Sequence, residues 1–237
     1  KNRLVNDKFK LFNTDYTFWD DFADLPSGNK LHIYHHQLEY PFTPEMYFLN
    51  SLQHTIESFS RVDDSLDQMV LLNFAAVDDL IVTVSRNKTK KILVVEPRTF
   101  LLVRVIKRIS QDEIIEVQKA IQLTPLAEKE PWKTLIAKQV NLAEIKLGAV
   151  LLKRENGKTT VKSLANVDPL SSTGPMILKT LLKGKFSKFH KNTVKETLKF
   201  LAKAGEKEYS RYRWFSNDPV ELTRILEENR RIVAANK

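Results

Sequence analysis

Alternation of apolar and polar residues predicts most of the elements of this 237-residue chain. Residues 30–40 alternate and predict a strand, while residues 43–59 begin with Thr-Pro-Glu, a typical helix start. From residue 67 to residue 167, short stretches rich in Val, Ile and Leu are separated by polar clusters, which predicts strands that include the segments 90–96 and 134–140. Strands spaced so closely, without helices between them, indicate an antiparallel sheet, and Asn156-Gly157 predicts a hairpin.

Helical spacing marks the two ends of the chain. Phe12, Tyr16 and Trp19 recur at helical intervals and predict a helix within residues 1–25. Residues 175–204 form one long amphipathic pattern that begins with Pro175 and is followed by glycine. The sequence Asp-Pro-Val-Glu at 218–221 is a capping pattern, which predicts a last helix that runs to about Ala234.

This order of elements predicts an α+β fold in which a curved antiparallel sheet wraps around the long helix. A sheet of so many strands must curl, and its concave face must be covered. Only the predicted 175–204 helix is long and apolar enough to do this, because at ~1.5 Å per residue it spans roughly 45 Å. The pattern fits both a solid core and an apolar cavity between the sheet and the helix.

Composition excludes several classes of function. The chain has no cysteine, which removes disulfides, thiolate metal sites and cysteine nucleophiles. It contains neither a GxGxxG nor a GxxxxGK[ST] sequence, and no serine lies in a GxSxG sequence. His32 and His35 would lie on opposite faces of a strand, which disfavours a metal site there. We therefore predict no catalytic residues, no metal and no enzymatic activity.

Two stretches resemble START lipid-transfer domains. Residues 94–108 are similar to the family's central signature, in which a Pro-Arg-Asp-Phe turn leads into a strand with Val-Arg and a second basic cluster. Thr99 replaces the usual Asp, and the matching residues are Pro97, Arg98, Phe100, Val103, Arg104 and Arg108. Residues 160–175 resemble the family's last strand, with Asp168 near its end and Pro175 opening the C-terminal helix.

The resemblance follows the order of elements over residues 15–205. It implies a helix-grip fold that encloses one lipid in a tunnel, with the C-terminal helix as part of the lid. A bound lipid is then the expected ligand, and no cofactor is expected. We predict a START-like lipid-binding domain over residues 1–205 and a C-terminal extension with a capped helix over residues 206–237.

Arg104 is the most informative candidate for ligand contact. It would share a strand face with Phe100, Leu102 and Ile106, where a charged group is costly unless it is paired. In several members of the family an acidic residue lies about nineteen positions upstream, but here that position is Ser85. An unpaired Arg104 would favour an anionic headgroup. The alternatives are that it turns outward at a bulge or pairs with another carboxylate, such as that of Asp78, Asp79 or Glu116.

The other candidates are apolar or small residues on the predicted inner faces of the sheet and the long helix. Ordinary core packing demands the same residue types, so this alternative also stands. The predicted lipid-binding residues beside Arg104 are Leu102, Ser163, Ala165, Leu178, Leu182, Phe186 and Phe189.

Positive charge is concentrated on the long helix. The chain has 38 Lys and Arg against 29 Asp and Glu, a net charge of +9, and residues 175–205 carry eight lysines against one acid. An anionic membrane attracts such lysines, although a solvated helix face or contact with RNA phosphates would use the same residues. Arg211 and Trp214 lie in an aromatic, Arg-rich segment that suits a partner protein, a nucleobase or the sheet itself. The predicted membrane or partner contacts are Lys188, Lys191, Lys195, Lys199, Lys203, Arg211 and Trp214.

Two functions follow from these predictions. The first is non-catalytic binding and transfer of one hydrophobic ligand, in an intracellular protein peripheral to membranes. The second is a structural subunit of a large assembly, with the cavity plugged and contacts made by the basic helix and residues 206–237; nucleic acid is the less expected partner. The chain begins at Lys1, so a removed targeting peptide, and with it a mitochondrial location, is one interpretation; a chain boundary is the other.

Overall fold

The structure, a computed structural model, describes residues 4–9, 14–24, 30–51, 63, 65–91, 96–168, 175–203 and 219–235. These residues form nine strands, four α-helices and two short 3₁₀-helices (Ile121–Leu123 and Pro125–Glu128). The elements are β1 (Leu4–Phe9), β2 (Thr14–Asp24), β3 (Lys30–Tyr40), α1 (Pro44–Ser51), β4 (Leu66–Val77), β5 (Leu80–Thr89), β6 (Thr99–Ser110), β7 (Glu113–Ala120), α2 (Trp132–Ala137), β8 (Glu144–Glu155), β9 (Lys158–Asp168), α3 (Pro175–Lys203) and α4 (Pro219–Ala235).

All nine described strands join one antiparallel sheet in the order β1-β2-β3-β9-β8-β7-β6-β5-β4. The three N-terminal strands therefore join the rest of the sheet where β3 pairs with β9, and β1 and β4 lie at its two edges. Helix α3 covers the concave face, where its Val194 and Leu201 share one core cluster with Leu38 and Val161 of the sheet. The predicted α+β helix-grip architecture, a curved sheet around a long C-terminal helix, is confirmed.

Strand pairing assigns every residue to one face of the sheet, because side chains alternate along a strand. Leu38, Val161, Leu152 and Ile114 are paired across β3, β9, β8 and β7 and are almost fully buried. Residues in register with them form the concave face under α3, and the residues between them form the convex face. This assignment locates the side chains of the candidate site.

Several predicted elements agree with the structure. The strand over residues 30–40 is β3, and the long helix ends within one residue of its predicted boundary. At the predicted hairpin, Asn156 and Gly157 have φ angles of 52° and 76°. This left-handed conformation favours Asn and Gly, and it gives the tight connection between β8 and β9.

The predicted N-terminal helix was wrong. Residues 14–24 form β2, which pairs with β3 over its length. Phe18 is buried on the concave face opposite His36, whereas Trp19 stacks on His35 on the convex face with 5.1 Å between ring centroids. Pairing with β3 therefore outweighs the helical spacing of the aromatic residues, of which Phe12 lies outside the described residues.

The predicted strand over residues 134–140 was also wrong, because this segment contains α2. Trp132, Leu135 and Ile136 follow helical spacing and pack on a convex-face cluster around Leu101 and Ile121. A short apolar run does not distinguish a strand from a helix by itself. In the predicted strand over residues 90–96, Lys90, Lys91 and Glu96 are outside any strand, and the other four lie outside the described residues.

Helix α4 packs on the same core as the sheet. Ile225 and Leu226 are buried in the main cluster, and Glu228 forms a 2.6 Å ion pair with Arg154 of β8. Helix α4 therefore docks on the sheet of its own chain. The division at residue 205 stays a prediction, since residues 204–218 lie outside the described residues.

Candidate functional site

Two neighbouring rows of side chains cross the concave face and carry several of its polar groups. The first row, read across the sheet from β3 to β4, consists of Tyr34, Ala165, Gly148, Gln118, Arg104, Thr83 and Phe74. The second consists of His36, Ser163, Val150, Glu116, Ile106 and Ile81. Together they form a polar band across the interior.

Arg104 and Glu116 form an ion pair within this band. Arg104 Nε lies 3.4 Å from Glu116 Oε1, and the two side chains are 15% and 6% exposed. Burial raises the pKa of Glu116, and the Arg104 guanidinium opposes this shift. Among the alternatives for Arg104, pairing with Glu116 is therefore observed. Ser85 occupies the position where the family's acid was expected, and it pairs in register with Leu102. Because serine has no carboxylate, the carboxylate that pairs with Arg104 comes from β7 instead.

Gln118 lies beside this ion pair because β8 has a glycine opposite it. Gln118 pairs in register with both Arg104 and Gly148. A Cβ atom at position 148 would be 2.6 Å from Gln118 Cγ and 2.9 Å from its amide nitrogen. Gly148 thus leaves the space that the Gln118 side chain occupies on the concave face.

Strand β5 carries a second line of polar side chains. Thr83, Ser85, Asn87 and Thr89 alternate along the strand, and all are buried on the concave face. Among the described residues, Asn87 Oδ1 and Ser163 Oγ are buried without a hydrogen-bond partner. An unsatisfied buried polar group costs roughly 1–3 kcal/mol, so these two atoms mark places where a polar partner would be stabilising.

A pair of histidines joins the sheet to α3 next to Ser163. The ring centroids of His36 and His190 are 4.7 Å apart, and Tyr47 Oη lies 3.3 Å from His190 Nδ1. Burial, with a smaller contribution from His35, lowers the pKa of His36 to about 3. Burial and the neighbouring His36 also lower the pKa of His190. Both rings are therefore neutral at physiological pH.

Most predicted lipid-binding residues with described side chains lie at the interface of sheet and helix. Leu102, Ser163, Ala165 and Leu182 are buried, and the register places the first three on the concave face. Phe189 is half-buried and packs against Leu66 of β4. The side chains of Leu178 and Phe186 lie outside the described ones. The structure thus brings these candidates together, while their contact with a ligand stays a prediction.

The basic residues of α3 lie on its solvent side. Lys188, Lys191, Lys195 and Lys199 are exposed, and Lys199 is paired with Glu196. Because the buried residues of α3 face the sheet, these lysines point away from the interior. The side chain of Lys203 and all of Arg211 and Trp214 lie outside the described part of the chain.

The concave face reaches solvent at the β4 edge. Phe74 stands at the end of the first polar row, three strands from Gln118, and is 41% exposed. Helix α3 therefore covers the inner face less completely here than at β3, where Tyr34 and Leu38 are buried.

The convex face carries an apolar row of its own. It crosses six strands in register and includes Val105 and Val117, which are exposed. Lys107, Lys119 and Lys162 are exposed on the same face. The row consists of Ala75, Val82, Val105, Val117, Ala149 and Leu164.

Sequence reasoning did not select several of the polar residues in the interior. Glu116 was only one of three suggested partners for Arg104, and Gln118, Asn87 and His190 were not identified. The polar residues at 83, 85, 87 and 89 alternate along the strand, a pattern that is typical of its solvent-facing side. In this fold that face is the inner one. Within the described residues, no three His, Asp or Glu side chains gather into a group that could hold a metal ion.

None of the described helices has the length and apolar character needed to cross a membrane. Neither a protein-family model nor a curated protein matches the sequence.

Several solved structures share this architecture, and two of the three described here carry names that refer to lipid transfer. Human StAR-related lipid transfer protein 5 matches with a TM-score of 0.57 and 13% identity, over 84% of this chain and 87% of that one. Human STARD10 matches with a TM-score of 0.59 and 14% identity, over 90% and 79% of the two chains. A STAR-related lipid transfer protein fragment from Xanthomonas axonopodis matches with a TM-score of 0.52 and 11% identity, over 81% and 99%.

Identities this low establish the fold alone. The strand order, the long C-terminal helix on the concave face and these three matches agree on one architecture. This chain therefore has the helix-grip fold of START domains.

Proposed function

We propose that this protein binds one lipid between α3 and the concave face of its sheet and transfers it between membranes without chemical change. The observation that carries this proposal is the polar band around Arg104 and Glu116 inside an apolar interior. A lipid needs both features, because its hydrocarbon part is stabilised by apolar burial while a few polar groups fix its orientation. The fold, shared with proteins named for lipid transfer, supports the proposal.

Apolar burial supplies most of the affinity in this proposal. A ligand that buries several hundred Å² gains on the order of 10 kcal/mol at ~25 cal/mol/Å², before the costs of ordering are subtracted. Arg104 and Glu116 form a pair without net charge. The band therefore favours a neutral polar group, such as a hydroxyl or an amide, over the anionic headgroup expected for an unpaired arginine.

Lipid exchange in this proposal takes place at a membrane surface. The exposed lysines of α3 attract an anionic bilayer at roughly 1 kcal/mol for each residue near the surface. The partly open β4 edge, where Phe74 is exposed, supports entry of the lipid on this side. We accordingly propose an intracellular protein that is peripheral to membranes, with a lipid as its ligand, no cofactor and no catalytic residue.

Native mass spectrometry of the purified protein tests this proposal. We expect a mass that exceeds that of the chain by one lipid, and we expect the protein to move a fluorescent lipid from donor to acceptor liposomes. A matched pair of variants locates the site. Leu102→Trp fills the concave face and should abolish uptake, whereas Val105→Trp places the same side chain on the convex face and should not. A ligand-free mass together with no uptake from mixed liposomes would refute the proposal.

A structural subunit of a large assembly is the second candidate function, and the apolar row on the convex face supports it. Val105 and Val117 are exposed in the centre of a sheet, where a partner protein would bury them. Sedimentation of a native extract distinguishes the two functions. A free carrier sediments as a small particle, and a subunit sediments with its assembly. Fractionation of the extract tests whether that assembly is mitochondrial.

A further inference from the structure

Asn87 lies in the interior beyond the ion pair. It points to the concave face from β5 and is nine-tenths buried. Its register neighbours are Phe100 on β6 and Met69 on β4, and Met69 packs against Leu66, as does Phe189 of α3. Asn87 is thus at the interface between the sheet and α3, on the same wall as Arg104.

The unsatisfied atom of Asn87 specifies the chemistry of its partner. Asn87 Oδ1 is a carbonyl oxygen that finds no hydrogen-bond donor among the described residues. A carbonyl oxygen only accepts hydrogen bonds, so its partner must donate one. A hydroxyl or an amide N–H satisfies this requirement, whereas a ketone, an ester or an ionised carboxylate does not.

The spacing between Asn87 and the ion pair sets the distance between two polar groups of a ligand. Arg104 is paired in register with Thr83, which lies four residues before Asn87 on β5. At ~3.3 Å per residue, this separation is about 13 Å along the strand. If the polar end of a lipid lies at Arg104 and Glu116, the part of its chain that reaches Asn87 is about 13 Å away. In an ordinary single-headed lipid this part is hydrocarbon.

We propose that the interior selects a lipid with two separate polar groups, and that the group placed at Asn87 is a hydroxyl or amide donor. This inference rests on the proposed function, because it assigns a ligand class to the same interior. It makes Asn87 a specificity-determining residue: a single-headed lipid of the same length leaves Asn87 Oδ1 buried and unsatisfied, whereas a bipolar lipid satisfies it.

Three probes with the same chain length test this inference by isothermal titration calorimetry. Dodecanediol has a hydroxyl at each end, and dodecanol has a hydroxyl at one end only. The third probe keeps one terminal hydroxyl of the diol and carries a methyl ketone in place of the other. We expect the wild-type protein to bind the diol roughly tenfold more tightly than dodecanol, because the second hydroxyl satisfies a buried acceptor. The ketone accepts but does not donate, and we expect it to bind no better than dodecanol.

Two matched variants assign the preference to Asn87. Asn87→Leu should lose this preference and bind the diol no more tightly than dodecanol, because the second hydroxyl would then be buried without an acceptor. Gln37→Leu, which also replaces an amide by leucine but on the convex face of β3, should keep the tenfold preference. Equal binding of the three probes by the wild-type protein, or a preference that survives in Asn87→Leu, would overturn the inference and leave the proposed function intact. If neither alcohol nor any other lipid binds, both fail. The wild-type comparison requires no variant, so the test does not depend on Asn87→Leu folding.

Discussion

Arg104 of β6 and Glu116 of β7 lie diagonally across a strand pair, with Arg104 Nε 3.4 Å from Glu116 Oε1. Both side chains point to the face that α3 covers. Transferring a charge from water into the protein interior is expensive, and the attraction between two buried charges offsets this cost only while both are present. The two residues are therefore coupled in their effect on stability.

Removal of one partner should destabilise the protein strongly. Glu116→Gln keeps the shape of the side chain but leaves the Arg104 charge buried without its carboxylate, and we expect the free energy of unfolding to fall by about 3 kcal/mol. Urea unfolding followed by circular dichroism measures this change. The double variant Arg104→Met with Glu116→Leu, which removes both charges, should recover most of the loss. A Glu116→Gln protein as stable as the wild type would contradict the prediction.

Acid should weaken the contact between α3 and the sheet through the two buried histidines. The pKa of His36 is about 3 in the folded protein, and that of His190 is also lowered, whereas an unfolded histidine has a pKa of about 6.5. The unfolded chain thus binds more protons, so this stability is complete above about pH 6.5 and is lost as the pH falls toward 3. We expect a slope that approaches roughly 1.4 kcal/mol per pH unit for each histidine.

Urea unfolding between about pH 6.5 and 5.5 measures this slope, and His190→Gln should reduce it by about half. Burial raises the pKa values of Glu45 and Glu116. These two carboxyls bind protons more readily in the folded state, so they act in the opposite direction at lower pH. An unchanged slope in His190→Gln would show that the histidine pair does not set the acid sensitivity.

Asn229 should be a sensitive polar position of α4. Its Oδ1 accepts a 3.0 Å hydrogen bond from the Thr43 backbone N–H, and its Nδ2 donates to Thr43 Oγ1. Asn229→Ala leaves these groups at the start of α1 buried and unsatisfied, so we expect a loss of about 2 kcal/mol in the free energy of unfolding. Arg231→Ala, an exposed position two residues later, is the control and should change stability by less than about 0.5 kcal/mol.

The lysines of α3 should control binding to anionic membranes. Replacing Lys191, Lys195 and Lys199 together by Gln should weaken binding to phosphatidylserine vesicles at least about tenfold, because each lysine near the surface contributes roughly 1 kcal/mol. Vesicle co-sedimentation measures the effect, which should shrink as salt is added. Replacing the exposed lysines of the α2 region, Lys129, Lys133 and Lys138, removes the same charge; an equal loss there would refute a specific role of α3.

The fold could be predicted where the local pattern and the tertiary environment agree. The long helix has an apolar side that faces the sheet, and Asn156-Gly157 requires left-handed backbone that a hairpin uses. Prediction failed for residues 14–24 and 134–140, because contacts with residues distant in sequence outweighed the local pattern there. Strand β2 is determined by its pairing with β3, and α2 by the convex-face cluster that it covers.

The site was harder to predict because its polar residues do not differ from surface residues by type. Arg104 was found because it interrupts an apolar strand face, which is visible in the sequence. Asn87 lies in an alternation of polar residues that is typical of a solvent-facing strand side, and only the position of α3 makes that side internal. The partner of Arg104 depends on the register of β6 with β7, which the sequence pattern does not specify.

The position of β4 has a practical consequence for handling this protein. It is the last strand of the sheet, it has no charged side chain from Gln68 to Val77, and Phe74 and Val77 are exposed. Edge strands of natural sheets usually carry charged residues or prolines, which prevent pairing with other chains. An edge strand without them is a template for amyloid-like stacking of further chains. Aggregation through β4 is thus the expected failure of concentrated or warmed samples, and Val77→Lys is the simplest substitution to prevent it.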